Sequence, residues 1–518
     1  MNLQILPIGI QTFSEIIERD YLYVDKTQHI HRLITAGKYF FLSRPRRFGK
    51  SLLLSTIKSI YQGRKELFKG LWIEDQWNWE KAHPVVHIGF SSLGYSEIGL
   101  ETAISRGLLE QAKHLGLSLE SKTPSTLFYE LIRKAVEKYG NRVVLLIDEY
   151  DKPLIDYLAP EEIPQAKEHQ KILKTFYSVI KDSDAYLEFL LITGVSKFSK
   201  ISIFSELNNL RDISLDRKFV DMLGITEGEM KHFFAPHLTH STQVFQLDYE
   251  ALLLKIKEWY NGYSWDGRTR VYNPWSLMSF FTAESFENFW FATGTPTFLI
   301  KQIRKNRIID FENQTVDSST FLTYDIERLE LLPLMFQTGY LTVLRVDEFG
   351  LFEIGYPNKE VKESLLRFLI GSFREDETPL STPLAINLYK AFAANDLEQV
   401  MRIVKSIFKN IPSHIFIADK EYYYHSILYL IFLLLGHYIE CEINTNNGRL
   451  DAVLKTKERI YVIEFKLDKS AEAALAQIKE RKYDEKYHTD GREVVLLGIN
   501  FSSEEKSVEG WKMEIFPN

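Results

Sequence analysis

One cysteine, Cys441, in 518 residues leaves no internal disulfide framework and no cysteine-clustered zinc site, which fits a reducing cytoplasm. Long hydrophobic runs are missing too. The longest strongly apolar stretch, Ile427-Leu-Tyr-Leu-Ile-Phe-Leu-Leu-Leu435, is nine residues, against about 20 needed to span a bilayer. The opening residues, Met1-Asn-Leu-Gln-Ile-Leu-Pro-Ile-Gly-Ile10, lack the basic flank and small-residue cleavage site of a secretory signal. Nor is there an excess of positive charge. With 63 Lys and Arg against 70 Asp and Glu, the net charge of −7 excludes a uniformly basic coat for nucleic acid and leaves room only for a local basic groove. A soluble, cytoplasmic protein without a membrane partner is expected, with no internal repeat or low-complexity segment.

What is present is ample core material, 45% apolar and 14% aromatic, in a chain too long for one core. Several domains follow, about two to four. Short apolar strands alternate with amphipathic stretches over 39–195, the pattern of a mainly parallel sheet covered on both faces. The strands are 39–43, 85–90, 143–148 and 187–193, with helices over 51–61 and 124–139. From 226 to 306 the chain reads as helical and aromatic, densest in Trp259-Tyr-Asn-Gly-Tyr-Ser-Trp265 and Trp290-Phe-Ala-Thr-Gly-Thr-Pro296. Such aromatics serve a core or domain interface ahead of a base-stacking platform. A helix over 326–336 and strands over 340–346 and 351–356 resemble a winged-helix element, although a wing with only Arg345 as a base reads better as a spacer. Residues 382–418 read as a helical linker. The rest reads helix, three strands (438–443, 449–455, 460–466), helix (471–487), strand (493–499). The expected class is α/β multidomain, divided as 1–225, 226–306, 307–419 and 420–518.

Two stretches carry chemistry. Arg44-Pro-Arg-Arg-Phe-Gly-Lys-Ser51, between an apolar strand and an apolar helix, has the end of a phosphate-binding loop. Gly49 and the following amides cradle phosphates, Lys50 reaches the β and γ groups, and Ser51 holds Mg²⁺. Arg44 stands where glycine is usual, and Pro45 removes an N–H donor. Val143-Val-Leu-Leu-Ile-Asp-Glu149 supplies the companion strand. There Asp148 holds Mg²⁺ through water and Glu149 polarises the attacking water. Arg44, Arg46, Arg47, Phe48, Gly49, Lys50, Ser51, Leu52, Asp148 and Thr193 form the candidate nucleotide site. Thr193 is placed to orient water, with Ser196 and Lys197 just beyond; Arg46, Arg47 and Arg211 are candidates for charge stabilisation, although surface arginines are commonly only solvated.

Near the far end, Asp451 and Glu464-Phe-Lys466 fit metal-dependent phosphodiester cleavage, which needs clustered acids and a cation. Strand alternation puts Glu464 and Lys466 on one face. The Phe465 carbonyl is the expected third metal ligand, Gln477 on the next helix can reach the site, and Lys482 and Tyr483 lie farther along. Glu421 and His425 are weaker candidates, a solvated helix end being the plainer reading.

Tyr23-Val-Asp-Lys-Thr27, the Arg44–Ser51 loop, Leu145-Leu-Ile-Asp-Glu-Tyr-Asp-Lys-Pro153, Thr193-Gly-Val-Ser-Lys-Phe-Ser199 and Trp259-Tyr-Asn-Gly-Tyr263 together resemble the bacterial and archaeal AAA-ATPase-like family. Gly448-Arg-Leu-Asp451, Val462-Ile-Glu-Phe-Lys466 and Gln477-Ile-Lys-Glu-Arg-Lys-Tyr483 resemble the PD-(D/E)XK nuclease domains with which its members commonly end. The resemblance covers almost the whole chain, least securely residues 305 to 420. It implies an additional-strand P-loop core with a helical lid, ATP and Mg²⁺ as ligands, Mn²⁺ as an alternative at the nuclease site, and nucleic acid as partner, DNA ahead of RNA. It also makes Arg44 ordinary, and leaves a homo-oligomer open. The rival expectation is a nucleotide-gated switch that binds nucleic acid or a protein with little or no cleavage.

Overall fold

The computed structural model describes residues 3–197, 209–290, 299, 303, 311, 314–317, 330–374, 381–409, 427–428, 430–432, 434–435, 440–446, 449–488 and 490–516. They fall into two compact units, Met1–Val361 and Lys362–Asn518.

The first unit is built on a parallel sheet in the order β2-β3-β4-β1-β5: β1 Tyr39–Ser43, β2 Val85–Gly89, β3 Val143–Asp148, β4 Leu187–Gly194 and β5 Arg211–Asp212. β1 and β3 are fully buried along their length, which their unbroken apolar sequences require of strands covered on both faces. β4 lies between β1 and β3, with Ser43 paired to Gly194 and Ile147 to Ile192, so the additional strand is in place. The strand expected over 85–90 stops at Gly89, because Phe90–Ser92 form a 3₁₀ turn. Helix Pro124–Tyr139 begins where a Thr123–Thr126 capping box and Pro124 favour it, and ends at Gly140 in a left-handed conformation (φ 72°).

Beyond the sheet, β6 (Ile225–Thr226) and β7 (Val271–Tyr272) pair antiparallel, and helices Glu227–Phe233, Ala235–Phe245, Tyr249–Tyr260 and Pro274–Ala283 pack a core in which Phe234, Tyr260, Phe280 and Phe281 are buried. The aromatic density is therefore core, as the composition suggests. Residues 291–298 of the second aromatic block lie outside the described residues. Helix Leu331–Thr338 starts later than expected, with Pro333 in its first turn, where a missing N–H costs nothing; residues 326–329 lie outside the described residues. The hairpin is present as β9 (Thr342–Val346) and β10 (Phe352–Gly355). An unanticipated strand, β8 (Gln314–Val316), joins the other side of β10. Arg345 is paired with Glu353.

The second unit holds a five-stranded mixed sheet in the order β11 (Glu440–Asn446), β12 (Arg449–Lys455), β13 (Arg459–Leu467), β14 (Glu493–Ser502), β15 (Ser507–Ile515). Only β13 and β14 run parallel. β15 was not expected. Residues 382–409 correct the linker reading: helices Ser381–Ala393 and Leu397–Lys409 pack on this sheet. The Tyr461 hydroxyl donates to the Phe392 carbonyl at 2.9 Å, and the Phe408 and Phe501 rings lie 5.0 Å apart. The apolar spacing of Leu397, Val400, Met401, Val404 and Phe408 is that of a helix with a buried face. Helix Ala471–Arg481 is shorter than expected, because Lys482 turns left-handed (φ 56°) and a 3₁₀ turn, Glu485–Tyr487, follows. Glu421 and His425 lie outside the described residues.

Helix Ala471–Arg481 crosses β14 at Gly498. A Cβ there would meet the Ala471 carbonyl oxygen at 2.4 Å and the Ala474 Cβ at 3.0 Å. Gly498→Ala therefore forces the helix off the sheet and should destabilise the protein by about 1–3 kcal/mol in urea melts; an unchanged midpoint would show that the contact yields freely.

Candidate active sites

The phosphate loop lies between β1 and helix Lys50–Tyr61, entered through Gly49 at φ 91°, a left-handed conformation that glycine adopts without steric cost. The Lys50 ammonium donates to the carbonyls of Arg44 and Pro45, both at 2.9 Å. Burial lowers the lysine pKa, while the carboxylates of Asp148, Asp151 and Glu149 oppose that shift. At the end of β3, Asp148 takes one hydrogen bond from the Ser51 hydroxyl at 2.5 Å and another from the Thr193 hydroxyl at 2.7 Å. Glu149, next in sequence, adopts a left-handed φ of 52°, strained for a non-glycine residue, and lines the adjoining cavity.

That cavity has a volume of about 370 Å³ and is lined by the loop from Arg46 to Leu53, by Pro7 and Gly9 to Gln11 of the N-terminal segment, and by Trp275 and Met278. A cavity of this size, whose lining includes the Lys50 cation, the Ser51 hydroxyl, the Glu149 carboxylate and apolar side chains, fits a nucleoside triphosphate with its divalent ion. Aromatic residues back the loop: Phe48 meets Tyr263 and Trp265 edge-on, and the Trp290 indole donates to the Arg46 carbonyl at 3.3 Å.

In the second unit, the Lys466 ammonium donates to Glu464 Oε1 and to Gln477 Oε1, each at 2.6 Å. The Gln477 amide closes the triangle by donating to Glu464 Oε1 at 2.5 Å. Glu464 is 1% exposed and Lys466 5%, so the ion pair is desolvated and its geometry fixed by the helix above. Asp451 on β12 is the register partner of Glu464 on β13, which places the two acids at adjacent positions on one face of the sheet. Acids at paired register positions, with a lysine two residues on, are residue types suited to a divalent cation.

Residues 7–204 match the family model described as a predicted AAA-ATPase, and residues 419–511 match that of the PD-(D/E)XK nuclease superfamily. The chain is also 39% identical over 527 residues, spanning 99% of both proteins, to one from Azotobacter chroococcum mcd 1 described as an uncharacterized protein in the vnfD 5′ region. The chain belongs to the AAA-ATPase-like family and ends in a PD-(D/E)XK nuclease-superfamily domain.

Within this AAA-ATPase-like protein, the residues expected at the nucleotide divide into two groups. Arg46, Arg47, Phe48, Gly49, Lys50, Ser51, Leu52 and Glu149 line the cavity, while Asp148, outside that lining, accepts from both Ser51 and Thr193. Arg44 differs. It is 1% exposed, donates to the carbonyls of Ser43 at 2.9 Å and Ser214 at 2.7 Å, and stacks on Trp265 at 3.9 Å. Burial pushes its pKa down to about 9. Its side-chain hydrogen bonds are spent on carbonyls that brace the loop. Arg47 lies over the Trp275 ring at 4.0 Å. Arg211 pairs with Asp216 at 2.6 Å, and Lys197 with Asp212. In the nuclease-superfamily domain Glu464, Lys466 and Gln477 come together, and Lys482 pairs instead with Glu485.

Sequence reasoning missed three contributors. Asp151 is buried and accepts from the amides of Val195 at 3.0 Å and Ser196 at 2.5 Å, pinning the segment after Thr193 to the end of β3. Burial raises its carboxyl to about 6. Lys26 lines the cavity and ion-pairs with Glu229 at 2.6 Å, joining the N-terminal segment to helix Glu227–Phe233; its place in the Tyr23–Thr27 run was the available signal. Glu360 is buried and accepts from the Trp290 amide at 2.7 Å.

Burial raises the Glu360 carboxyl to about 7. A folded value above the ordinary 4.5 means that the native state keeps a proton the unfolded chain loses. The stability that this proton confers is fully present below about pH 4.5 and is lost as pH rises through about 7. Glu360→Gln should match wild type in Tm at pH 4 and exceed it at pH 8, by roughly 1–3 kcal/mol of stability; a variant less stable than wild type at pH 8 would contradict this.

Proposed function

We propose that this protein binds and hydrolyses ATP in the cavity beside the phosphate loop and cleaves phosphodiester bonds of nucleic acid, DNA ahead of RNA, at the Asp451–Glu464–Lys466 site. The domains are taken as 1–225 for the ATPase core, 226–306 for the lid, 307–419 for the middle region, whose helices Ser381–Ala393 and Leu397–Lys409 pack on the nuclease sheet, and 420–518 for the nuclease. The observation that carries the nuclease reading is the buried triangle of Lys466, Glu464 and Gln477, with Asp451 in register beside it.

At the nucleotide, Lys50 and the amides after Gly49 bind the phosphates, Ser51 and Asp148 hold Mg²⁺, and Glu149 takes a proton from the attacking water. Thr193 fixes the Asp148 carboxylate by its 2.7 Å bond. At the nuclease site Asp451, Glu464 and the Phe465 carbonyl would hold Mg²⁺ or Mn²⁺, which supplies Lewis-acid polarisation of the phosphate and acidifies bound water. Lys466 sets a positive charge beside the scissile group and orients the attacking water, and Gln477 holds both Glu464 and Lys466 in place.

Two measurements on the full chain test this: phosphate release from ATP, and cutting of plasmid, linear duplex and single strands with either ion. Turnover and cutting are both expected. If Mg-ATP raises Tm while no nucleic acid is cut under any condition, the nuclease half is wrong and the nucleotide-gated switch replaces it.

A further inference from the structure

β15 closes the C-terminal sheet on one side. It pairs with β14 along one edge, and among the described residues no strand occupies the other. Natural edges are blunted by shortness, proline, bulges or an unneutralised lysine. This one is nine residues long and contains no proline, and its bulge lies against Asn500 and Phe501, far from the exposed end. The lysine of that end, Lys512, is offset by Glu472 at 3.2 Å.

Register with β14 fixes the two faces of the strand. Lys512 and Glu514 lie opposite Gly498 and Leu496, on the side of helix Ala471–Arg481, where Glu514 also pairs with Lys479. Trp511, Met513 and Ile515 lie on the other face, opposite Ile499, Leu497 and Val495. Met513 is 38% exposed and Ile515 46%, whereas Phe516 stacks on the His488 ring at 3.9 Å.

The strand is complementary to itself. In antiparallel pairing about a two-fold axis at Met513, Lys512 faces Glu514 of the copy, Trp511 faces Ile515, and Met513 faces Met513, each pair on a common face. Moving the axis one position either way sets Lys512 against Lys512 or Glu514 against Glu514, which like-charge repulsion disfavours. We propose that a second copy of this chain docks here, β15 against β15, forming one continuous ten-stranded sheet. The two-fold axis stands normal to that sheet, so both copies carry helix Ala471–Arg481 and the Glu464–Lys466 pair on the same side. With strands about 4.8 Å apart, five steps separate the two β13 strands by roughly 24 Å. The inference needs no catalytic activity.

The test is the mass of the full chain by light scattering and sedimentation over a concentration series. Twice the monomer mass of 60.6 kDa is expected. Met513→Lys, which places two like charges on the axis, should weaken the dimer at least about tenfold in Kd while leaving the Tm measured at concentrations where both proteins are monomeric unchanged. In a Cys441→Ser background, Met513→Cys should crosslink through a short bismaleimide and Glu509→Cys should not. A monomer at every concentration overturns the proposal. So does a dimer that Met513→Lys leaves intact, since the contact is then elsewhere.

Discussion

On the proposed function, Lys466→Ala should lower the rate of nucleic-acid cleavage by about 10²–10³-fold, the usual cost of removing one preorganised cationic or hydrogen-bonding group at a developing negative charge. ATP turnover by the same variant should stay at the wild-type level. The size of the effect follows from the burial of the ammonium and its two 2.6 Å hydrogen bonds, which hold it where a solvent cation cannot substitute for it. The substitution also leaves Glu464 as a buried carboxylate without its nearest cation. Breaking such a pair costs about 3–5 kcal/mol when nothing compensates, so the cleavage rate is scaled to the folded fraction from a parallel melt. Glu464→Gln is the companion variant: it keeps the side chain's shape and a carbonyl that can accept from Lys466, and it removes the negative charge available to a metal. It should lose cleavage with a smaller change in Tm. Wild-type cleavage by folded Lys466→Ala would remove Lys466 from the chemistry.

Lys50→Ala should abolish the ATP turnover, and the rise in Tm with Mg-ATP, that are expected of wild type. The ammonium is the buried cation nearest the loop's own carbonyls, and its pull on the β and γ phosphates has no substitute within the cavity lining from Arg46 to Leu53 except the more exposed Arg46 and Arg47. A ligand that binds only the native state stabilises it by about 2.7 kcal/mol at a hundred times its Kd, so the lost shift in Tm reports binding separately from turnover. The variant also leaves the Arg44 and Pro45 carbonyls without their donor, which costs about 1–3 kcal/mol before any ligand is added. An undiminished Mg-ATP shift in Lys50→Ala would place the nucleotide elsewhere.

The sheet of the first unit was readable because its strands are unbroken apolar runs between helices with strong start and stop signals, as at Thr123, Pro124 and Gly140. β5 escaped because two residues carry no period. β15 escaped for a different reason. Its Glu509, Lys512 and Glu514 break the apolar run, since an edge strand need not look like core. The nuclease triangle was legible from alternation alone: Glu464 and Lys466 had to share a face, and a helix placed directly after their strand brought Gln477 over them. Arg44 could not be read this way. Whether an arginine in a phosphate loop faces the ligand or the protein depends on Ser214 and Trp265, 170 and 221 residues farther along the chain. Asp151 and Glu360 were hidden likewise, because a carboxylate's partners and its burial are tertiary facts.

The most direct test is incubation of supercoiled plasmid with the full-length protein and Mg²⁺ or Mn²⁺, beside Asp451→Ala prepared identically. The account predicts that wild type converts the plasmid to nicked and linear forms and that Asp451→Ala does not, because β12 sets Asp451 directly opposite Glu464 in the sheet. An intact plasmid with wild type, or cutting that survives in Asp451→Ala, would contradict it.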